Sequence, residues 1–347
     1  MKASGSKGYQ MEEELRRYFL KSGYFVIRGA EMFYDRETIT DVDLWLYARN
    51  TPVSREIAIV DIKNKKQPQA VERILWVSGL RTLLGADKAI VATTDRRKFL
   101  KEFANQLKIQ VLDGSFLSKL KSYEKVNRTR LTEEEFTELL TADDLGKFDG
   151  DWSSQIAECR SLVVSGLDFD CFNLLLIKAK YFAEQVITNS FKSKLAARCL
   201  YLVVSYSLIC IDYIYKDLAF REHDERHEML LNGFLYGMSG IKRAQSIIDS
   251  SVRLIEAYLP EVPSASSIIK AKFLEEVDSS NCSILADFFA SNDVSRDSFP
   301  HAKQLEQAAY TIVPQNLNRL SIEIKSLFGC LCDFWGISRV QLFESLE

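Results

Sequence analysis

The chain has 347 residues, of which 47% are hydrophobic and 27% charged; it is long enough for two domains and too apolar to be disordered. Its net charge of −3 argues at first against a nucleic-acid binder, which carries a basic surface. Division by position removes that exclusion. Residues 1–122 hold 22 Lys+Arg against 15 Asp+Glu, a net of +7, whereas residues 123–347 hold 23 against 33, a net of −10.

Met1 to Gly8 is polar and lacks an apolar core, so no secretory signal is expected there. The pattern then predicts a helix near 9–22, strands near 24–28, 42–48 and 55–61, and a helix near 68–84. A strand near 87–93, a helix near 96–106 and a strand near 108–112 follow. Gly23, Gly85 and Gly114 punctuate these elements, and Val, Ile and aromatic residues fill the strands. The order αβββαβαβ implies a mixed sheet with helices on its faces.

Beyond residue 123 nearly everything reads as helix. Thr132-Glu-Glu-Glu135 is a capping box that starts one. Amphipathic runs follow near 168–190, 193–217, 227–258, 266–276, 301–312 and 314–334, with breaks at Pro260/Pro263 and over Ser291 to Pro300. Cys199 to Ile211 is the most apolar stretch and is too short to span a bilayer, so it reads as a buried core helix. All seven cysteines lie beyond residue 158, are odd in number and form no CxxC pair. Reduced core thiols in a cytoplasmic protein are the expectation.

Acidic and basic groups gather in the first part of the chain. Asp43 opens the apolar strand Val42 to Tyr47, and Asp61 and Lys63 close the strand Ile57 to Lys63. Alternation along a strand turns Asp61 and Lys63 to one face and Ile62 to the other. If the two strands pair across the loop 49–55, Asp43 approaches Asp61. Carboxylates at the end of an apolar strand are costly without a partner, and a divalent cation supplies one. Mg²⁺ needs only one or two protein carboxylates, and a neighbouring lysine can hold or deprotonate the attacking water.

The first helix carries Glu12-Glu13-Glu14 beside the apolar stripe Met11, Leu15, Tyr18 and Phe19. At about 100° per residue, Glu12 and Glu14 flank the stripe and Glu13 points away into solvent.

Asp43 with Asp61-Ile62-Lys63 resembles the PD-(D/E)xK motif of the restriction-endonuclease-like superfamily. Gly8-Tyr-Gln-Met-Glu12 with Gly23-Tyr24, the stretch Ala86 to Thr94 and the stretch Ile109 to Gly114 are similar to its Mrr-like branch. The resemblance covers about residues 8–120. It implies an α/β nuclease domain over 1–122, and metal-dependent cleavage of DNA that leaves 5′-phosphate and 3′-hydroxyl ends. Asp43 and Asp61 would bind Mg²⁺ or Mn²⁺, Lys63 would activate water, and Glu12, rather than Glu14, would complete the site. Val42 stands where the motif has proline, and Asp61 is the shorter of the two acids the motif allows.

Lys65 and Lys66 after the strand, and Arg96, Arg97, Lys98 and Lys101 at a helix start, suit a polyanion such as DNA. Residues 123–150 read as a helical linker and 151–347 as an acidic all-helical domain for oligomerisation, partner binding or restraint of the basic half. A homodimer is expected because a double-strand break takes two active sites, and a bacterial or mobile-element defence role would fit the family. No membrane partner is expected.

Two rival readings exist. One is a nuclease fold kept as a DNA-binding or assembly module without catalysis. The other places RNA cleavage in the helical part, where Arg221 to His227 resembles the Arg-x(4–6)-His motif of HEPN ribonucleases, with Glu222 where that family has a small polar residue. His223 and His227 also stand at the i, i+4 spacing of a zinc site, without the glutamate or the third ligand that it requires.

Overall fold

The computed structural model describes residues 7–34, 37–63, 69–122, 129–142, 150–258 and 280–345, with a few positions between 267 and 275. The first region runs α1 (Lys7–Lys21), β1 (Phe25–Tyr34), β2 (Glu37–Thr51), β3 (Ser54–Lys63), α2 (Ala70–Leu83), β4 (Lys88–Thr93), α3 (Phe99–Gln106), β5 (Ile109–Leu112) and α4 (Gly114–Ser122). The five strands lie in one sheet in chain order. β1, β2 and β3 pair antiparallel, and β4 and β5 join them in parallel. This is the expected mixed sheet with flanking helices; α4 is an element that the sequence reading did not contain.

β3 is buried along most of its length because both faces of the sheet are covered, and its apolar run is correspondingly continuous. On one face, Met11, Leu15 and Phe19 of α1 pack on Leu44, Val60 and Ile62. On the other, Ile27, Trp45, Tyr47 and Ile59 join a core that includes Ile74 and Val77 of α2 and continues into the helices beyond residue 129.

Those helices are α5 (Glu133–Thr141), α6 (Trp152–Ser165), α7 (Phe169–Thr188), α8 (Ser193–Leu218), α9 (His223–Tyr236), α10 (Gly240–Tyr258), α11 (Cys282–Phe289), α12 (Asn292–Tyr310), α13 (Ile322–Trp335) and α14 (Arg339–Ser345). Thr132 and Glu135 exchange both bonds of the expected capping box. Among the described residues, α8 alone is long and apolar enough to cross a membrane, and 94% of its apolar window is buried inside the protein.

The structure corrects several boundaries. The run expected at 227–258 is two helices, broken where Gly237 and Gly240 take positive φ and the Asp170 carboxylate accepts the Met238 N–H at 3.0 Å. The break expected over Ser291 to Pro300 lies within α12. Pro300 cannot donate to the Arg296 carbonyl, and Arg49 of β2 donates to that oxygen instead at 2.9 Å. α6, α11 and α14 lie outside the expected runs, and α13 begins only at Ile322, after a short 3₁₀ turn at Leu317–Arg319. The helix expected at 266–276 falls largely outside the described residues.

Two buried ionic clusters join the basic and acidic parts of the chain. In one, Asp212 of α8 accepts from Tyr47 at 2.6 Å and pairs with Arg55 at 2.6 Å and Arg49 at 3.0 Å. In the other, Arg16 of α1 reaches Glu133 at 3.1 Å and Glu306 at 3.2 Å. Arg160 also pairs with Glu133, the Tyr310 hydroxyl donates to it at 2.8 Å, and Arg28 meets Glu134 at 2.6 Å.

Candidate active site

The β2–β3 ladder runs from Thr51↔Ser54 to Leu44↔Val60, and no backbone pair follows. At that point the Asp43 carboxylate accepts the Ile62 N–H at 2.5 Å, a side chain in place of the next ladder bond. Opposite Asp43, Gly29 of β1 has φ +63, and the core assignment of alternate residues shifts there: Phe25 and Ile27 share a core with Ala30 and Met32. A local irregularity thus aims Asp43 toward the end of β3.

Asp61 lies two residues short of that strand's end and is 8% exposed. Asp43 and Asp61 are close enough to perturb each other. Burial first, and then the charge of Asp61, push the Asp43 carboxyl up to about 7, against the opposing Ile62 hydrogen bond and Lys63. The expected approach of the two carboxylates is present. Lys63 shares the face of Asp61 and Ile59, is partly exposed, and has no ion pair among the described residues.

Arg73, in the first turn of α2, was not anticipated here. Its Nε donates to Asp61 Oδ2 at 2.9 Å and a terminal nitrogen donates to Oδ1, so both carboxylate oxygens are engaged. A signal for it exists in the sequence. Ala70, Ile74, Val77 and Leu80 form the buried stripe of α2, and Arg73 stands beside that stripe at the end nearest β3.

Glu12 is not gathered with the two aspartates. α1 covers the opposite face of the sheet, and Glu12 accepts from Arg28 Nε at 3.0 Å. Its charge still reaches Asp43 as a minor upward influence. The solvated position expected for Glu13 is wrong: Glu13 is 3% exposed and lies 3.3 Å from Arg28 and 3.5 Å from Arg16. A helical wheel marks the side facing the sheet, whereas α1 is also enclosed by the ion pairs from α5 and α12. Glu14 is buried as well.

Among the described residues, no three His, Cys, Asp or Glu side chains are grouped closely enough to hold a metal ion. The donors present fit a smaller requirement. Asp43 and Asp61 offer hard oxygens close enough to repel each other, a donor pair that suits a Mg²⁺ or Mn²⁺ ion that keeps several waters, although Arg73 holds Asp61 in this structure.

Lys65 and Lys66 lie outside the described residues. Arg96, Arg97 and Lys98 are exposed in the loop after β4, whose Thr93 is paired with Lys63, so they stand at the same end of the sheet as the aspartates. Part of their charge is already engaged: Arg97 pairs with Asp95 at 2.6 Å, Lys101 with Asp113 at 2.6 Å, and Arg96 donates to Ser118 at 3.0 Å. Farther away, Arg221 pairs with Glu225 at 3.2 Å, and His227, near the start of α9, lies 3.0 Å from Asp287 of α11.

The chain matches no protein-family model, no curated protein and no solved structure.

Proposed function

We propose that the chain is a Mg²⁺- or Mn²⁺-dependent DNA endonuclease with a restriction-endonuclease-like domain over residues 1–122, and that Asp43 and Asp61 are its metal ligands. The observation that carries this reading is the opening of the β2–β3 ladder at Asp43, which sets a half-buried carboxylate beside the buried one of Asp61, near Lys63. When bound, the divalent ion supplies charge stabilisation on the phosphate oxygens. Lys63, on the face of Asp61, would hold and orient the attacking water; as the phosphodiester breaks, the proton of that water passes to solvent and the departing 3′-oxygen takes one up. Arg96 and Lys98 meet the DNA backbone at the same end of the sheet. Glu12, paired with Arg28, acts on Asp43 through its charge alone. The helical part carries the contacts of a dimer or of a protein partner, and the protein acts in the cytoplasm, in defence against foreign DNA.

Cleavage of linear, nicked and branched DNA in Mg²⁺ and in Mn²⁺ tests the reading. Wild type should cut, and Lys63→Ala should lose about 100-fold or more in rate. Equal behaviour of the two proteins on every substrate rejects it.

A second reading has its own support: Arg73 and Arg28 already neutralise Asp61 and Glu12, as in a nuclease fold kept for DNA binding or assembly. DNA binding by wild type with no cleavage in either metal favours that alternative.

A further inference from the structure

We propose that Arg73 is the resident counter-cation of Asp61 and must release it before a divalent ion can bind, so that the site alternates between guanidinium and metal. This rests on the reading of Asp43 and Asp61 as metal ligands. The guanidinium engages both oxygens of Asp61, so an incoming cation meets its positive charge at either one. Asp61 is too buried to turn toward solvent, whereas the Arg73 side chain is 27% exposed, so the arginine is the partner free to move.

A second seat lies on the same helix. The Arg73 Cζ stands 5.9 Å from the centre of the Trp76 ring, and Trp76 is itself exposed. A guanidinium that leaves Asp61 can stay over that ring and keep its charge near the site.

The exchange also has an electrostatic reason. Asp61, Asp43 and Asp41 all attract Arg73. Without a cation, two adjoining carboxylates repel in a region of low dielectric. Arg73 supplies one positive charge from within the chain; a divalent ion supplies two. Occupancy by the arginine therefore lowers the apparent affinity for metal, by the fraction of molecules in which the pair is open.

The test is calorimetric titration of the full chain with Mn²⁺, for wild type, Arg73→Ala, Arg73→Lys and Asp61→Asn. Arg73→Ala should bind Mn²⁺ about ten-fold more tightly or better, since a charged bidentate pair no longer competes. Arg73→Lys, which keeps the charge and loses the two-point grip, should fall between the two. Asp61→Asn should lose binding. Should Arg73→Ala fail to fold, Arg73→Lys and Arg73→Gln make the same comparison, each expected above wild type. Unchanged or weaker binding in these variants, with binding lost in Asp61→Asn, overturns the exchange and leaves Asp61 a ligand. If neither wild type nor the Arg73 variants bind Mn²⁺, the metal reading and this inference fall together.

Discussion

Asp61 and Asp212 are both buried carboxylates held by arginine, and their surroundings assign them different work. Asp212 is fully buried and is met by Arg49, Arg55 and the Tyr47 hydroxyl, so positive and polar partners surround it. Its removal leaves two arginines without their charge partner, one of them buried. Asp212→Ala should therefore cost about 3–5 kcal/mol in denaturant unfolding. Asp61 has a single half-buried arginine and another carboxylate beside it. Asp61→Asn relieves that repulsion, and Arg73 can turn to water, so the change should stay within about 1 kcal/mol. A cost for Asp61→Asn equal to that of Asp212→Ala would make Asp61 a structural residue. The identities of Asp43, Asp61 and Lys63 were legible in the sequence, because residue type and strand position suffice to name them. Arg73 was not, because its role depends on where a helix crosses a strand.

Elements were legible where local chemistry dominates. The strands of the first region alternate or run apolar as the sheet requires, and Thr132 caps α5 through its own side chain. Errors arose where a remote group changes the local rule. Pro300 reads as a break, yet α12 continues through it because Arg49, more than two hundred residues earlier, satisfies a carbonyl that proline leaves unpaired. Gly114 marks another such place. It starts α4 against the end of β4, and a Cβ there would run into the Thr94 carbonyl oxygen. Gly114→Ala should push α4 from the strand end that carries Arg96 and Arg97, at a cost of about 1–3 kcal/mol in the same unfolding measurement. A neutral result would mean that the strand end adjusts freely.

For the whole molecule, the split of charge takes on a second meaning. The net of +7 on residues 1–122 suggested a surface for DNA, yet Arg16, Arg28, Arg49 and Arg55 are turned inward against acids of the remaining chain. Part of the asymmetry is thus a docking arrangement between the two regions. Glu133 sits at its centre. Burial alone would raise its pKa, but Arg160, Arg16 and the Tyr310 hydroxyl outweigh burial and hold the carboxyl below its usual value of 4.5. A carboxylate depressed in the fold stabilises the protein above the unfolded value, and that stabilisation is lost as pH falls through the folded value. Melting temperature should therefore drop on acidification below about pH 4.5. Glu133→Gln should be less stable by about 3 kcal/mol or more at pH 7, with a flatter acid limb. An unchanged acid limb would remove Glu133 from the pH dependence.

The order of elements from α1 to β5, the strand positions of the two aspartates and the change to a helical pattern after residue 123 follow from the sequence alone, because periodicity, turn residues and caps act over a few neighbours. Tertiary structure decided which charges are paired. Coulombic partners are chosen by distance in space: Glu133 and Glu306 meet Arg16, Glu134 meets Arg28, and Arg49 and Arg55 meet Asp212, each from over a hundred residues away in the chain. The same holds at the candidate site. There the sheet brings Asp43 to Asp61, α2 delivers Arg73, and α1, on the other face, keeps Glu12 with Arg28.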